Sequence, residues 1–381
     1  MLFYVLFTAI LAPSAVLGVG VTGTAPGFAT GTTGGGSATP AYPSDIAQLK
    51  SWLADSTPRV IMLNKEYNFI GSSGTVAATG CRPSSNTCPS NGGQDAINGA
   101  NWCTNSNYPS VSVTYDAAAL TPLAVGSNKS IVGVGSKGVI RGVGLKLSGG
   151  VSNVIIQNVH ITELNPQYIW GGDAITLAGC NKVWIDHCKI SLIGRQMLVT
   201  GYDAAGLVAV TNTEFDGSTS WSATCNGDHY WTMLFYGSAD HVTLAGNYIH
   251  DVSGRAPKVG GSGSTTLHAA NNYFQDVGGH AFEVGTGAKV LIEGNVFDAV
   301  TTPITAASAS AGGLIYNAGG SACSPYIGRG CQANSVSNSG AFDGYGTVGA
   351  MAGFAGYAVY PAVAASKVAS SVVANAGVGK L

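Results

Sequence analysis

The middle of the chain carries a repeated pattern in which a short apolar run ends at Asn or His and a second apolar group follows. The six copies cover residues 154–161, 183–190, 207–215, 242–249, 267–274 and 290–297. Their polar markers lie 29, 25, 35, 25 and 23 residues apart, and they are Asn158, His187, Asn212, Asn247, Asn272 and Asn295. A recurrence at one phase with such periods, interrupted by insertions, indicates a solenoid.

A single copy of this pattern is too short to bury its own apolar face. If successive copies stack in register, each strand pairs with the strands above and below it, and the inward side chains form one continuous core. Asn tolerates the left-handed conformation at a bend, and its amide can bond to the Asn of the next coil to make a ladder. The pattern therefore favours an all-β parallel β-helix over a sandwich or a propeller, because hairpin-type Asn-Gly turns between adjacent strands are scarce.

The flanks of the repeat predict a few further elements. Residues 46–53 have the apolar spacing of a helix, and residues 59–63 read as a short strand. Residues 19–43 have no periodicity, so we expect an extended lead-in that packs on the body. Residues 71–109 predict a long irregular excursion that cysteines staple. Past the repeat, residues 366–375 predict a short terminal helix or cap.

Charged side chains are scarce along the whole chain. Only 9% of the 381 residues are charged, and the net charge is −2 with His neutral. Binding of nucleic acid needs clustered Lys and Arg, and the sequence has no such block. We therefore expect no nucleic-acid partner.

The first 18 residues are apolar and end in small residues, which is typical of a secretory signal peptide, although Lys and Arg are missing near the start. No later apolar run reaches the length of a membrane span. We expect a secreted, extracellular and monomeric protein, with one domain over residues 19–381 and no membrane partner. Eight cysteines suggest disulfides in such a compartment, and the sequon at Asn128 predicts glycosylation.

The stretch Gly254-Arg255-Ala256-Pro257-Lys258 lies between the predicted strands 242–249 and 265–274. It places two cations next to a rigid residue in a chain that is otherwise poor in charge. Pro257 fixes its own φ and restricts the residue before it. We therefore expect Arg255 and Lys258 to be held in fixed directions at a strand end.

Several motifs resemble those of fungal pectin lyases, in the polysaccharide lyase superfamily (family 1) that also contains pectate lyases. In chain order they are Trp170-Gly171-Gly172-Asp173, Val183-Trp184-Ile185-Asp186-His187, Gly194-Arg195-Gln196, His229-Tyr230-Trp231 and Gly254-Arg255-Ala256-Pro257-Lys258. The resemblance covers nearly the whole chain after the leader. It implies a single-stranded right-handed parallel β-helix whose long loops form a substrate cleft.

The activity that the resemblance implies is β-elimination on α-1,4-linked galacturonan methyl ester. It makes Arg255 the proton acceptor at C5, Lys258 and Arg195 the cations that stabilise the enolate-like intermediate, and Asp173 the residue that orients Arg195 or a substrate hydroxyl. Arg stays protonated in most proteins. A second reading therefore stays open, in which Arg255 remains charged and stabilises the carbanion while another group takes the proton.

No cofactor is expected. Calcium needs several oxygen ligands, and the sequence offers the cation Arg195 where partner carboxylates would be required. Aromatic side chains stack on sugars but also fill cores, and the candidates for lining the cleft are Trp170, Trp231, Tyr230 and Trp102. Trp184 and the Asp186–His187 pair read as structural.

The resemblance also implies the cysteine pairs. They are Cys81 with Cys103, Cys88 with Cys225 and Cys323 with Cys331, which leaves Cys180 and Cys188 as buried thiols. Three other functions stay open: a calcium-dependent pectate lyase, a hydrolase with paired carboxylates and a non-catalytic β-helix that binds carbohydrate. The hydrolase is the weakest, because no repeat strand carries a cluster of Asp residues.

Overall fold

The computed structural model describes residues 20–381. The predicted signal peptide, residues 1–18, lies outside the described residues. Within the described part of the chain, no helix is both long and apolar enough to cross a membrane.

Short strands, most of them parallel, form the body of the fold. In chain order they are β1 (Pro40–Ala41), β2 (Arg59–Leu63), β3 (Glu66–Asn68), β4 (Thr75–Cys81), β5 (Asp95–Ala96), β6 (Ser110–Asp116), β7 (Leu123–Ala124), β8 (Lys129–Gly133), β9 (Val139–Arg141), β10 (Leu145–Gln157), β11 (His160–Leu164), β12 (Tyr168–Ile169), β13 (Ile175–Asp186), β14 (Lys189–Ile193), β15 (Leu198–Thr200), β16 (Gly206–Thr211), β17 (Glu214–Asp216), β18 (Met233–Phe235), β19 (Asp240–Ala245), β20 (Tyr248–Val252), β21 (Lys258–Val259), β22 (Thr265–Ala270), β23 (Tyr273–Val284), β24 (Ala288–Glu293), β25 (Val296–Ile304), β26 (Leu314–Tyr316) and β27 (Ser335–Ser337).

Helices are few and lie outside the strand stack. The α-helices are α1 (Ile46–Ala54), α2 (Trp102–Ser106), α3 (Ser324–Ile327) and α4 (Val368–Asn375). Short 3-10 turns cover Gly27–Ala29, Gly99–Asn101, Ala118–Leu120, Ala306–Ala309, Ser321–Cys323, Val348–Phe354 and Ala365–Lys367. The helix predicted over 46–53 corresponds to α1, and the strand predicted over 59–63 corresponds to β2. The terminal helix predicted over 366–375 corresponds to α4 and the 3-10 turn before it.

The strands wind into a right-handed parallel β-helix with three faces. The first face holds β2, β8, β16, β19, β22, β24, β26 and the second halves of β10 and β13. The second holds β3, β9, β11, β14, β17, β20, β27 and the first halves of β23 and β25. The third, which we call the groove face, holds β7, β15, β18, β21, the first halves of β10 and β13, and the second halves of β23 and β25.

The core is a column of apolar side chains that repeats from coil to coil. One such column on the first face runs through Ile156, Ile185, Val210, Leu244, Ala269 and Ile292. All six side chains are fully buried. Alternate residues point outward, because successive side chains of a strand lie on opposite faces. The predicted β-helix and its repeat are therefore confirmed.

The polar markers of the repeat occupy two adjacent positions of the bend, where one was predicted. Asn158, His187 and Asn212 adopt positive φ of 58°, 49° and 46° and make the sharp turn. Asn247 and Asn272 lie one position later, and the positive φ in their coils belongs to the residue before them. In the six coils the left-handed position is taken by Asn, His or Gly, which tolerate positive φ better than most residues.

The ladder of asparagines runs along the second position of the bend. The Asn247 side chain donates to the Asn272 side-chain oxygen at 2.8 Å, and Asn272 donates to Asn295 at 2.9 Å. Asn295 in turn donates to Asn334 at 3.0 Å, which extends the ladder by one coil beyond the predicted repeat. Thr213 begins it, since its backbone N–H donates to Asn247 at 2.9 Å.

The excursion over residues 71–109 is more regular than predicted. Strand β4 pairs antiparallel with β6, from Thr75 with Asp116 to Cys81 with Ser110. The helix α2 and two disulfides, Cys81–Cys103 and Cys88–Cys225, belong to the same region. The hairpin went unrecognised because small residues in β4 give little alternation and its partner strand begins after residue 109.

The outer surface of the first face is covered by the N-terminal lead-in. Ala25 and Ala29 pack on Trp184, and the Trp184 indole donates to Thr211 at 2.9 Å. Asp186 is 2% exposed and accepts hydrogen bonds from the side chains of Gln157, His187, Thr211 and Asn212. These contacts agree with the structural role expected of Trp184 and Asp186.

The remaining cysteines divide as the resemblance implied. Cys323 and Cys331 are joined, and Cys180 and Cys188 are buried free thiols. Burial raises the pKa of both thiols to about 12, so neither carries thiolate near neutral pH.

Candidate active site

A row of outward side chains runs along the groove face, with one residue from each coil. Parallel pairing places Thr176 beside Val199, Val199 beside Leu234, Leu234 beside Lys258 and Lys258 beside Glu283. Neighbours in such a row lie about 4.8 Å apart. Lys146 precedes Thr176 in the row. The three members that follow Lys146 bear no formal charge, and a cation and a carboxylate come after them.

Loops from both sides enclose the middle of this row, at Val199 and Leu234, in a groove of about 240 Å³. Its lining residues are Trp102, Ile169, Trp170, Arg195, Gln196, Val199, Trp231, Leu234, Tyr236 and Arg255. Three of the four aromatic side chains predicted for the cleft, Trp102, Trp170 and Trp231, are therefore part of its wall. A smaller cavity of about 160 Å³ continues the groove past Trp170, Asp173 and Thr176.

Arg195 is held in the groove by a carboxylate and by an aromatic ring. Its Nε and Nη2 donate to the two oxygens of Asp173 at 2.8 and 2.6 Å, and the backbone N–H of Gln196 also donates to Asp173 at 2.9 Å. The guanidinium lies 3.8 Å from the centre of the Trp170 ring, within cation–π range. A two-point contact between Arg and a carboxylate fixes direction as well as distance.

Arg255 lies on a bend and has no carboxylate partner. Its φ is 48°, and the following Ala256–Pro257 peptide is cis. The guanidinium lies 4.7 Å from the Trp231 ring centre and 5.9 Å from that of Tyr230. Nε is buried without a hydrogen-bond partner, and no ion pair forms on Arg255 anywhere in residues 20–381.

Lys258 begins β21 and lies next to Leu234 in the outward row. Its ammonium donates to Oε1 of Glu283 at 2.5 Å. The nearby His280 ring, with Nε2 3.5 Å from Oε2, and then the Lys258 ammonium outweigh burial and lower the pKa of Glu283 to about 2. The carboxylate is therefore charged at any pH at which a folded enzyme would work.

Tyr230 lies behind the groove wall and does not line the groove itself. It packs edge-on against Trp231 and borders a neighbouring cavity of about 290 Å³ with Trp102, Tyr108 and Trp231. The Trp231 indole donates to Gln94 at 3.1 Å, which fixes the ring that lies against Arg255.

His229 connects two parts of the wall from below. Its Nε2–H donates to the backbone oxygens of Arg195 at 2.8 Å and Trp231 at 3.2 Å. Complete burial lowers the pKa of His229 to about 4, so the ring is neutral near pH 7. His229 thus links the two backbone segments as a buried, neutral side chain.

Sequence reasoning gave no role to four residues that hold this site: Gln94, His229, His280 and Glu283. Of these, His229 stood in one of the quoted motifs, and the other three were missed. Glu283 follows Lys258 by 25 residues, which equals two of the spacings in the repeat. Adding the length of one coil, 25 residues, to the position of Lys258 would therefore have identified Glu283. Gln94 had no such signal, because it reaches the groove from the excursion.

The carboxylates of the groove do not fit a calcium site. Both oxygens of Asp173 already accept hydrogen bonds. In the next two coils, the outward side chains Val199 and Leu234 offer no oxygen as a ligand. Among residues 20–381, the one group with metal-ligand spacing is Glu214, Asp216 and His250, which lies on the second face. There the Lys189 ammonium lies 2.8 Å from both carboxylates and takes the place of a cation.

Comparisons with known proteins agree with this fold and cover nearly all of the chain. The sequence profile of the family described as Pectate lyase matches residues 5–381. A protein named probable pectin lyase F from Aspergillus niger is 55% identical over 378 residues, which are 98% of this chain and 78% of the relative. Another of that name from Aspergillus flavus is 51% identical over 386 residues, which are 99% and 89% of the two chains.

Solved structures show the same fold at low identity. A pectate lyase bound to hexasaccharide superposes with a TM-score of 0.61 at 19% identity, covering 96% of this chain and all of the other. A pectate lyase from Bacillus sp. N165 in complex with trigalacturonate gives a TM-score of 0.59 at 18% identity, covering 93% and 98%. With a family profile over almost its full length and relatives above 50% identity, the chain belongs to the pectate lyase family.

Proposed function

We propose that this protein is a secreted pectin lyase that cleaves α-1,4-linked galacturonan methyl ester by β-elimination without a metal ion. The names of the relatives, probable pectin lyase F, support the reaction. The observation that carries the proposal is the state of Arg255, whose guanidinium faces the groove with no carboxylate to neutralise it.

The reaction needs a proton acceptor near C5 and positive charge near the ester carbonyl. The acceptor takes the C5 proton, the electron pair forms the C4–C5 double bond, and the C4–O bond breaks. The oxygen that leaves C4 then takes up a proton. Negative charge gathers on the carbonyl oxygen in between, and fixed cations stabilise it most effectively when they need no rearrangement.

Arg255 is the candidate for the acceptor, and Arg195 and Lys258 are the candidates for charge stabilisation. Asp173 holds Arg195 in direction through two hydrogen bonds. In the second reading, Arg255 keeps its proton and acts as a third cation. Both readings require Arg255 in the groove. In the first, Arg255 starts as the neutral guanidine and becomes charged when it takes the C5 proton; in the second, it is charged throughout and another group receives that proton.

The floor of the groove suits a neutral, esterified polymer. Thr176, Val199 and Leu234 form it and carry neither a carboxylate to hold a metal nor a cation to pair with a free uronate. The indole rings of Trp102, Trp170 and Trp231 offer apolar surface on which sugar rings and ester methyl groups can stack. A calcium-dependent pectate lyase would need oxygen ligands at these positions.

The decisive assay follows the ultraviolet absorbance of the 4,5-unsaturated product. We expect activity on highly methylated pectin, weak activity on unesterified polygalacturonate and no loss on addition of a chelator. The Arg255→Ala variant should lose turnover by several orders of magnitude, with its circular dichroism spectrum unchanged. Abolition by chelator, or a preference for the unesterified polymer, would favour the calcium-dependent enzyme.

The cellular setting is proposed on the apolar leader and the three disulfides. The protein is exported, loses the leader, carries a sugar at Asn128 and works as a single copy on the polymer. Asn128 lies at a bend with φ of 58° and is partly exposed. Native mass spectrometry of protein collected from the culture medium tests the leader's removal, the added sugar and the single-copy state together.

A further inference from the structure

Strand β23 carries two side chains that support both cations on one side of the groove. Glu283 pairs with Lys258 across the parallel ladder, and its Oε1 accepts from the ammonium at 2.5 Å. His280 lies on the same strand, with Nε2 3.5 Å from the other oxygen of Glu283. Neither residue belongs to the motifs that suggested the activity.

The ion pair of Lys258 and Glu283 contributes little as a source of stability. Both side chains are 32% exposed, and pairs of that exposure are weakened by solvent. A Lys ammonium is also a hydrated point charge on a flexible stem of four carbons, so without a partner it samples many positions. A carboxylate in the next coil restricts it to one position, beside Leu234 in the outward row.

His280 holds the neighbouring bend. The backbone N–H of Arg255 donates to His280 Nε2 at 3.2 Å, and the ring packs edge-on against Tyr230, 5.8 Å between centres. The Arg255 bend has positive φ, a conformation that a non-glycine residue keeps only when its surroundings fix it. The same strand thus contacts the Arg255 backbone and the Lys258 side chain.

We propose that Glu283 is a positioning residue of the lyase reaction, which acts by holding the Lys258 ammonium at the groove, while His280 holds the Arg255 bend. The inference rests on the proposed function, because it assigns Lys258 to charge stabilisation. Glu283 touches no substrate in this account and accepts no proton. Its effect passes entirely through Lys258.

A double-mutant cycle with Glu283→Gln, Lys258→Met and their combination tests this, with the rate of unsaturated product on methylated pectin as the readout. Glu283→Gln should lower kcat by about tenfold with KM within about twofold, since an interaction used mainly in the transition state is lost. Glu283→Asp, which keeps the charge, should recover part of the rate. In the Lys258→Met background, Glu283→Gln should change kcat by less than about twofold, because coupled residues are not additive.

Glu163→Gln is the matched control, because Glu163 forms a comparable pair with Arg141 at 2.6 Å, with side chains 35% and 33% exposed, outside the groove lining. It should leave kcat unchanged. An unchanged kcat in Glu283→Gln, or an equal fall of kcat in both Lys258 backgrounds, overturns the inference while the lyase function stands. A wild-type enzyme that forms no unsaturated product overturns the proposed function, and the inference with it.

Discussion

The asparagine ladder makes a quantitative prediction about stability, with Asn272 as its central member. The Asn272 side chain is fully buried. Its oxygen accepts from the backbone N–H and the side chain of Asn247, at 3.1 and 2.8 Å. Its amide donates to the backbone oxygen of Leu244 at 2.8 Å and to the side chain of Asn295 at 2.9 Å.

Replacement of Asn272 by Ala removes these four hydrogen bonds but does not leave all four partners unpaired. The Asn247 side chain still donates to Val210, and the Asn295 oxygen still accepts from the backbone N–H of residue 272. The Asn247 N–H and the Leu244 oxygen lose their side-chain partner. The Leu244 oxygen lies in a strand that is paired on both sides, so only the Asn247 N–H is left unsatisfied. One such buried group costs about 1–3 kcal/mol, and we expect a loss of about that size, a sizeable share of the usual 5–15 kcal/mol.

Urea unfolding followed by circular dichroism measures this loss. We expect a lower midpoint with an unchanged slope, as for a native state of the same compactness. Asn375→Ala serves as the control, because Asn375 is exposed at the end of α4 and donates to Ser371. It should change stability by less than about 0.5 kcal/mol. A loss below about 1 kcal/mol for Asn272→Ala would refute the reasoning that the ladder satisfies buried groups that have no other partner.

Two further predictions concern acid and the disulfides. Burial raises the pKa of Glu293, but hydrogen bonds from Arg329 and His268 outweigh it and bring the pKa to about 2, so the stability that this carboxylate contributes is present above about pH 4.5 and is lost as the pH falls toward 2. The pKa of His229, lowered to about 4, means that the protein also loses stability as the pH falls from about 6.5 to 4. Glu293→Gln should flatten the dependence of melting temperature on pH between about 4.5 and 2. An unchanged dependence in that range would contradict the prediction. Cys88 and Cys225 close a loop of 137 residues, whereas Cys323 and Cys331 close one of 8. Replacing the first pair by Ser should therefore lower the free energy of unfolding by about 2–4 kcal/mol, clearly more than replacing the second pair. The reverse order in urea unfolding would contradict the loop-length argument.

The sequence was sufficient for the fold because the repeat is a local pattern with one physical explanation. Apolar residues such as Ile185 and Val210 recur at a coil's length and stack in one column. The detail of the bend was harder, because Asn suits both of its positions. Asn212 adopts the positive φ of the turn, whereas Asn272 forms the hydrogen bonds of the ladder. The residue type alone does not distinguish these two roles.

Part of the candidate site could be predicted from the sequence for a similar reason. Arg195 and Arg255 belong to short motifs, and cations are rare enough in this chain to be singled out as candidates. Glu283 and Gln94 reach the same place through register and through a long loop, so their contacts depend on pairing across coils that no short motif records. The hairpin of β4 and β6 was missed because its two strands are separated by a stapled segment that hides their alternation.

The outward row of the groove face presents one side chain from each coil along the direction of a bound linear polymer. Exchanging Val199 or Leu234 alters the side chain that one segment of the sugar chain contacts, while the backbone pairing that sets the spacing of the row is unchanged. An architecture of this kind can change its preference for charged or uncharged sugars by single substitutions, without first solving a new fold.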